Sequence, residues 1–134
     1  MDENYSLIKG EHTIVLLAFN AHDITMKALL HIYNNNTDSK ILLFDNGSNP
    51  SYEKLISNLD IDYHREEKNI YVNPAWNKIF DMIETPFLSI INNDFFILSK
   101  NYFSFIIPHM KQENIVLSSC KTKNIRLSIL VNFY

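Results

Sequence analysis

The stretch FLSIINNDFFIL, residues 87–98, is an apolar run interrupted by three polar side chains. Pro86 ends the segment before it, and Phe87 to Ile91 then reads as a continuous apolar strand. A strand that is apolar at every position is buried on both faces, which is the pattern of a parallel sheet covered by helices. Asn92-Asn93-Asp94 closes the strand. Two readings of that triplet stand: a strand-to-loop turn built on an Asx former, or ligands collected at a strand end. Phe95 and Phe96 anchor the loop back into the core under either reading.

The same pattern extends outward. Thr13–Phe19 and Ile41–Phe44 are further continuous apolar runs, and both predict buried strands. Between them Ile24, Ala28, Leu29 and Ile32 share one helical face that ends at Asn34-Asn35-Asn36. Asn49-Pro50 has the form of a cap with Pro in the first turn, and it predicts a helix carrying Tyr52, Leu55, Ile56 and Leu59. Ile61–Tyr63 is a weak third strand, and Arg65-Glu66-Glu67-Lys68 reads as a solvated loop or edge. Asn73-Pro74 repeats the cap signature, ahead of Trp76, Ile79, Phe80 and Ile83 on one face. Ser99 is placed as the cap of a helix with Tyr102, Phe103, Ile106 and Met110. Ile115–Leu117 and Ile125–Phe133 complete the strands. Short apolar strands alternating with amphipathic helices predict one α/β domain over 1–134, with a mostly parallel sheet flanked by helices.

Composition removes several function classes. Of 134 residues 46% are hydrophobic, enough for one core, and the net charge of -3 gives no basic stripe for a nucleic-acid backbone. The lone cysteine, Cys120, rules out a disulfide framework and reads as a small buried hydrophobe. MDENYSLIKGEH lacks the basic and apolar regions of a signal peptide, and no run reaches membrane-span length. A cytoplasmic domain is expected, and the sequons at Asn4, Asn35 and Asn46 are chance matches. The only glycines, Gly10 and Gly47, cannot form a dinucleotide or phosphate loop. His12, His22, His31, His64 and His109 show no metal-ligand spacing.

In a parallel sheet, ligands bind beyond the carboxyl ends of the strands. Three ends bring polar groups there: Ala18-Phe19-Asn20, Asp45-Asn46-Gly47-Ser48 and Asn92-Asn93-Asp94. With TIVLLAFN, ILLFDNGS, NIYVNPAWNKI and FLSIINNDFFIL in this order, the chain resembles the nucleotide-binding half of family 2 glycosyltransferases, which have the Rossmann-like GT-A fold. It departs from that family at Tyr71 and Ile79, where glycines are common, and at Asn92, where the first Asp of the DxD motif is usual.

The resemblance implies a role for each position. Asp94 would be the protein ligand of a divalent metal, Mn²⁺ or Mg²⁺, aided by Asn92 or water. Asn92 reaches the ribose, and Asn93 shapes the turn. Asp45 accepts from the base or ribose, with Asn46 beside it. Ala18 and Asn20 line the base pocket, although Asn20 serves equally as a helix cap. Asn69, Asn73 and Asn77 form the Asn-rich segment, with Asn73 capping its helix. The implied donor is a UDP- or dTDP-linked sugar, passed with inversion to the hydroxyl of a glycan, a lipid-linked glycan or a protein. The residues identify no general base. The alternative is a non-catalytic GT-A-like binding or assembly module, a homo-oligomer among the forms it allows, with Ile129–Tyr134 covering a surface or pairing with another chain. A nucleotidyltransferase-like enzyme ranks below both, for want of a Gly-rich basic loop.

Overall fold

The computed structural model describes residues 7–36, 38–97, 99–119 and 129–132. Cys120, Ile125–Ser128, Phe133 and Tyr134 lie outside them. The elements run β1 (His12–Ala18), α1 (His22–Asn35), β2 (Lys40–Asp45), β3 (Asp62–Arg65), α2 (Val72–Met82), β4 (Phe87–Asn92), α3 (Tyr102–Gln112), β5 (Leu117–Ser119) and β6 (Ile129–Asn132). They build one sheet of order β3-β2-β1-β4-β6-β5. The first four strands are mutually parallel, and β6 lies antiparallel between β4 and β5. The predicted α/β architecture with a mostly parallel sheet is therefore the observed one. Ile129–Asn132 pairs within this chain, against β4 and β5.

Alternation along the strands splits the core in two. Ile14, Leu16 and Ala18 of β1, Ile41 and Leu43 of β2, and Phe87 and Ile91 of β4 face Leu29 and Ile32 of α1 and Phe103, Ile107 and Met110 of α3. Val15, Leu17, Leu42, Phe44, Leu88 and Ile90 face Ala75 and Ile79 of α2, with Trp76, Phe80 and Ile83 packed at the margin. Apolar side chains on both faces explain why these strands read as unbroken hydrophobic runs.

Some boundaries differ from expectation. No helix forms over 49–59. The Asn49 N–H donates to the Asn20 side chain, and the Tyr52 carbonyl takes the N–H groups of both Leu55 and Ile56; the segment closes as turns and does not propagate a helical ladder. Tyr52 and Ile56 still reach the core, while Leu55 is exposed. The third strand starts at Asp62 rather than Ile61, and the fifth at Leu117 rather than Ile115. On α1, Thr25 takes the buried place assigned to Ile24, and its hydroxyl is satisfied by the Ala21 carbonyl. The three helix starts use positive-φ residues, Ala21, Tyr71 and Asn101, instead of side-chain caps from Asn20, Asn73 and Ser99.

His12 is fully buried at the amino end of β1. Its Nδ1 lies 2.7 Å from Ser39 Oγ, its Nε2 lies 2.8 Å from Ser89 Oγ, and its ring centroid is 4.5 Å from that of Phe103. Burial holds the imidazole neutral, with its pKa pushed down to about 3.

Candidate functional site at the carboxyl edge

Strand order and register assemble the edge. Asp45 of β2 pairs with Ala18 of β1 on one side and with Arg65 of β3 on the other. Asn92 of β4 pairs with Leu17 of β1. The ends of β3, β2, β1 and β4 therefore stand side by side, and β2 and β4 are two strand spacings apart, about 10 Å.

The loop after β2 is tightly specified. Asp45 is fully buried. Its Oδ1 accepts the Ser48 N–H at 2.8 Å, its Oδ2 accepts the Tyr63 hydroxyl at 2.8 Å, and Arg65 Nε lies 3.4 Å from Oδ2. Burial and the Asp45 carboxylate together hold the Tyr63 phenol protonated, raising its pKa to about 12. Arg65 also donates to the Ser48 carbonyl at 3.0 Å. Gly47 has φ 79°, and a Cβ there would sit 2.4 Å from the Lys68 carbonyl carbon and 2.6 Å from the Asn69 nitrogen. Only glycine fits this approach.

Asn46 ties three segments together. Its N–H extends the ladder to the Ala18 carbonyl at 2.8 Å. Its side-chain oxygen accepts the Ile70 N–H at 3.0 Å, and its amide nitrogen donates to Asn69 Oδ1 at 3.0 Å and to the Tyr71 carbonyl at 3.4 Å. Asn20 bridges the loops after β1 and β2: its N–H donates to Ser48 Oγ, its Oδ1 accepts from the Asn49 N–H, and its carbonyl accepts the Tyr52 hydroxyl. It is a loop clamp with φ 50°, one residue ahead of the Ala21 cap.

The end of β4 is looser. The Phe95 N–H donates to the Asn92 carbonyl at 3.1 Å, which closes a turn over 92–95. Asn93 donates to Thr25 Oγ1 at 2.8 Å, fastening the turn to the first turn of α1. Asp94 is half-buried within that turn. The turn reading and the ligand reading of Asn92-Asn93-Asp94 are thus compatible, because the turn is what carries Asp94 at the edge.

Ala18, Asn20, Asp45, Asn46 and Asn69 join in one hydrogen-bonded network. Asn92, Asn93 and Asp94 connect to it through Thr25 and Ala21. Asn73 and Asn77 are exposed on α2 and enter none of these bonds. Ser48, Tyr63, Arg65 and Thr25 went unrecognised as site residues. Tyr63 and Arg65 are spaced two apart on β3 and share a face, a pattern too short in a four-residue strand to mark them in the sequence. Arg65 belongs to this network rather than to a solvated charge run. Glu66 is likewise engaged, its carboxyl held below the usual range by His64 and then by Lys78.

A divalent cation asks for hard oxygen donors, typically one or two carboxylates beside substrate phosphates. Asp94, with the Asn92 amide beside it at the strand end, fits the lower end of that requirement. Among the described residues no group of three or more His, Cys, Asp and Glu side chains is placed to hold a metal by itself.

No protein-family model and no curated protein matches the sequence. The fold does have solved counterparts. The mannosyltransferase PcManGT from Pyrobaculum calidifontis, in complex with GDP-mannose and Mn²⁺, aligns with a TM-score of 0.72 at 12% identity, over 86% of this chain and 36% of that one. S. aureus TarS, residues 1–349, aligns with a TM-score of 0.68 at 14% identity, with the same 86% and 36% coverage. The chain has the Rossmann-like fold of these proteins, and it spans about a third of their length.

Proposed function

We propose that this chain binds the donor of a glycosyltransferase, a nucleoside-diphosphate sugar laid across the carboxyl edge with its diphosphate toward Asp94. The convergence of four strand ends on that edge carries the reading, in a fold whose mannosyltransferase counterpart is complexed with GDP-mannose and Mn²⁺. Ala18, Asn20, Asn46 and Asn69 shape the nucleoside half, and Asn92 offers its amide to a ribose hydroxyl. Asp45, fully buried and not open to the base, serves by fixing Ser48, Tyr63 and Arg65. Mn²⁺ or Mg²⁺ would be held by Asp94 and the donor phosphates, and when bound it would neutralise charge on the leaving diphosphate. In the transfer, an acceptor hydroxyl oxygen bonds to the anomeric carbon as that carbon's bond to the diphosphate breaks on the opposite face. The configuration inverts, the nucleoside diphosphate departs with the bonding electron pair, and the hydroxyl proton passes to solvent water. Among the described residues no helix is long and apolar enough to cross a membrane; we place the work in the cytoplasm.

Calorimetric titration with UDP, dTDP and GDP, each with and without Mn²⁺, tests this. Metal-dependent binding of one of them, lost in Asp94→Ala, is the expected result. No binding at millimolar concentration sinks it. Asn92, an amide at the strand end where a second carboxylate would strengthen metal binding, favours a second reading, a module that binds the nucleotide without turning it over. Binding with no release of sugar from the donor would select that reading.

A further inference from the structure

Tyr71 occupies a backbone conformation that tyrosine should avoid. With φ 66° and ψ 174° it lies in a region populated almost only by glycine, at a cost of about 1–3 kcal/mol. Burial does not repay that cost, because the residue is 77% exposed. Its backbone is nevertheless fixed: the N–H donates to Asn69 Oδ1 at 2.7 Å, the carbonyl accepts from Asn46 at 3.4 Å, and the same carbonyl takes the Ala75 N–H at 3.3 Å. Every one of these bonds would survive replacement by glycine, so the architecture does not need the ring. Asn46, which holds Tyr71, directly follows Asp45 at the end of β2 and is bonded to Ala18 at the end of β1. A residue with a large, exposed aromatic side chain is thereby held, under strain, on a loop whose backbone is bonded through Asn46 to the end of β2.

We infer that Tyr71 is a donor-binding residue whose ring stacks on the nucleobase. The inference rests on the proposed donor site and adds to it a contact for the base. Flat heteroaromatic rings suit such a platform, and stacking is tolerant of which base is present. The diphosphate end, at Asp94 about two strand spacings away, would not feel the ring.

The test compares Tyr71→Gly and Tyr71→Phe with the unmodified chain. Thermal unfolding and titrations with UDP, GDP and inorganic pyrophosphate, all with Mn²⁺, are the readouts. Tyr71→Gly should melt at a higher temperature, since strain is relieved, yet bind the better nucleotide about tenfold more weakly. Its affinity for pyrophosphate should be unchanged. Tyr71→Phe should keep the nucleotide affinity. Unaltered nucleotide binding in the glycine variant overturns the inference and leaves the donor site standing, as does an equal loss for pyrophosphate or a phenylalanine variant as weak as the glycine one. If the unmodified chain binds neither nucleotide, the donor site and the inference fall together.

Discussion

The two ends of the central strands use polar residues in opposite ways. At the amino end, His12, Ser39 and Ser89 close on one another, and Thr13 Oγ1 lies 2.8 Å from Thr85 Oγ1. His12, Thr13 and Ser89 are almost wholly buried, and the groups are neutral. At the carboxyl end, Asp45 and Arg65 form a charged pair whose arginine side chain is 43% exposed, and Asn92, Asn93 and Asp94 are half-buried. The same strands thus bury a small neutral cluster at one end, beside the Glu11–Lys111 ion pair and clefts lined by Lys9, Lys40, Asp60 and Asp62, and keep charges and amides near water at the other. A neutral cluster stabilises a fold; a charged, partly open one can also exchange water for a ligand. Within the open edge the β2 loop is fixed around the buried Asp45 and the β4 turn is tied to α1 through Asn93, so stability and binding should respond differently to substitution.

The largest separation is expected between two aspartates. Asp45→Ala leaves the Tyr63 hydroxyl and the Ser48 N–H without their acceptor, and removes the partner of Arg65. Breaking a buried charged contact costs about 3 kcal/mol here, toward the low end because Arg65 is partly solvated. Asp94→Ala, at a half-buried position, should cost less than that, while abolishing metal-dependent nucleotide binding. Urea unfolding and calorimetry on both variants check this. Equal stability losses would erase the distinction between the two loops.

Gly47→Ala should follow at roughly 2 to 3 kcal/mol, from a positive φ plus a collision with the Lys68 backbone. Its midpoint in urea should fall well below that of Gly10→Ala. Gly10 also has positive φ, but the nearest atom to its Cβ would be the Lys40 side chain at 4.0 Å.

The buried His12 cluster makes its own prediction in acid. The folded pKa of His12 is depressed to about 3, below its ordinary 6.5, so the unfolded chain takes up a proton that the folded one refuses. The stability is complete above pH 6.5 and declines as pH falls toward 3. Between pH 7 and 5 the loss should be about 2 kcal/mol. Urea midpoints at the two values, compared with those of His12→Gln, measure it. A pH-independent midpoint would show that the His12 cluster is open.

Much of this was legible in the residues. β1, β2 and β4 are apolar on both faces, so their runs announced a parallel sheet, and their ends marked the edge. The helix starts were not legible, because Asn-Pro looks like a cap whether or not the asparagine side chain is needed elsewhere. After Asn49 the chain closes as turns on the Tyr52 carbonyl, and the expected helix does not form. The four-residue β3 was too short for its alternation to display Tyr63 and Arg65 as partners of Asp45. Asp-Asn-Gly-Ser reads alike as a turn and as a ligand loop, and only the register with Arg65 shows how deeply Asp45 is enclosed.

The smallest effect probes the tie between the β4 turn and α1. Asn93 donates to Thr25 Oγ1, and Thr25 donates in turn to the Ala21 carbonyl at 2.9 Å. Asn93→Ala removes one partly solvated bond and should lower stability by about 1 kcal/mol or less. Its consequence for binding should be larger in proportion, because the turn that carries Asp94 loses its attachment while the carboxylate itself remains. Metal-dependent nucleotide affinity should fall severalfold. Thr25→Val, close in shape, removes the same acceptor, so the double variant should be no weaker than either single one. That non-additivity is the signature of one shared contact. If the two losses simply add, Asn93 and Thr25 act on the site independently, and the β4 turn is held by something other than α1.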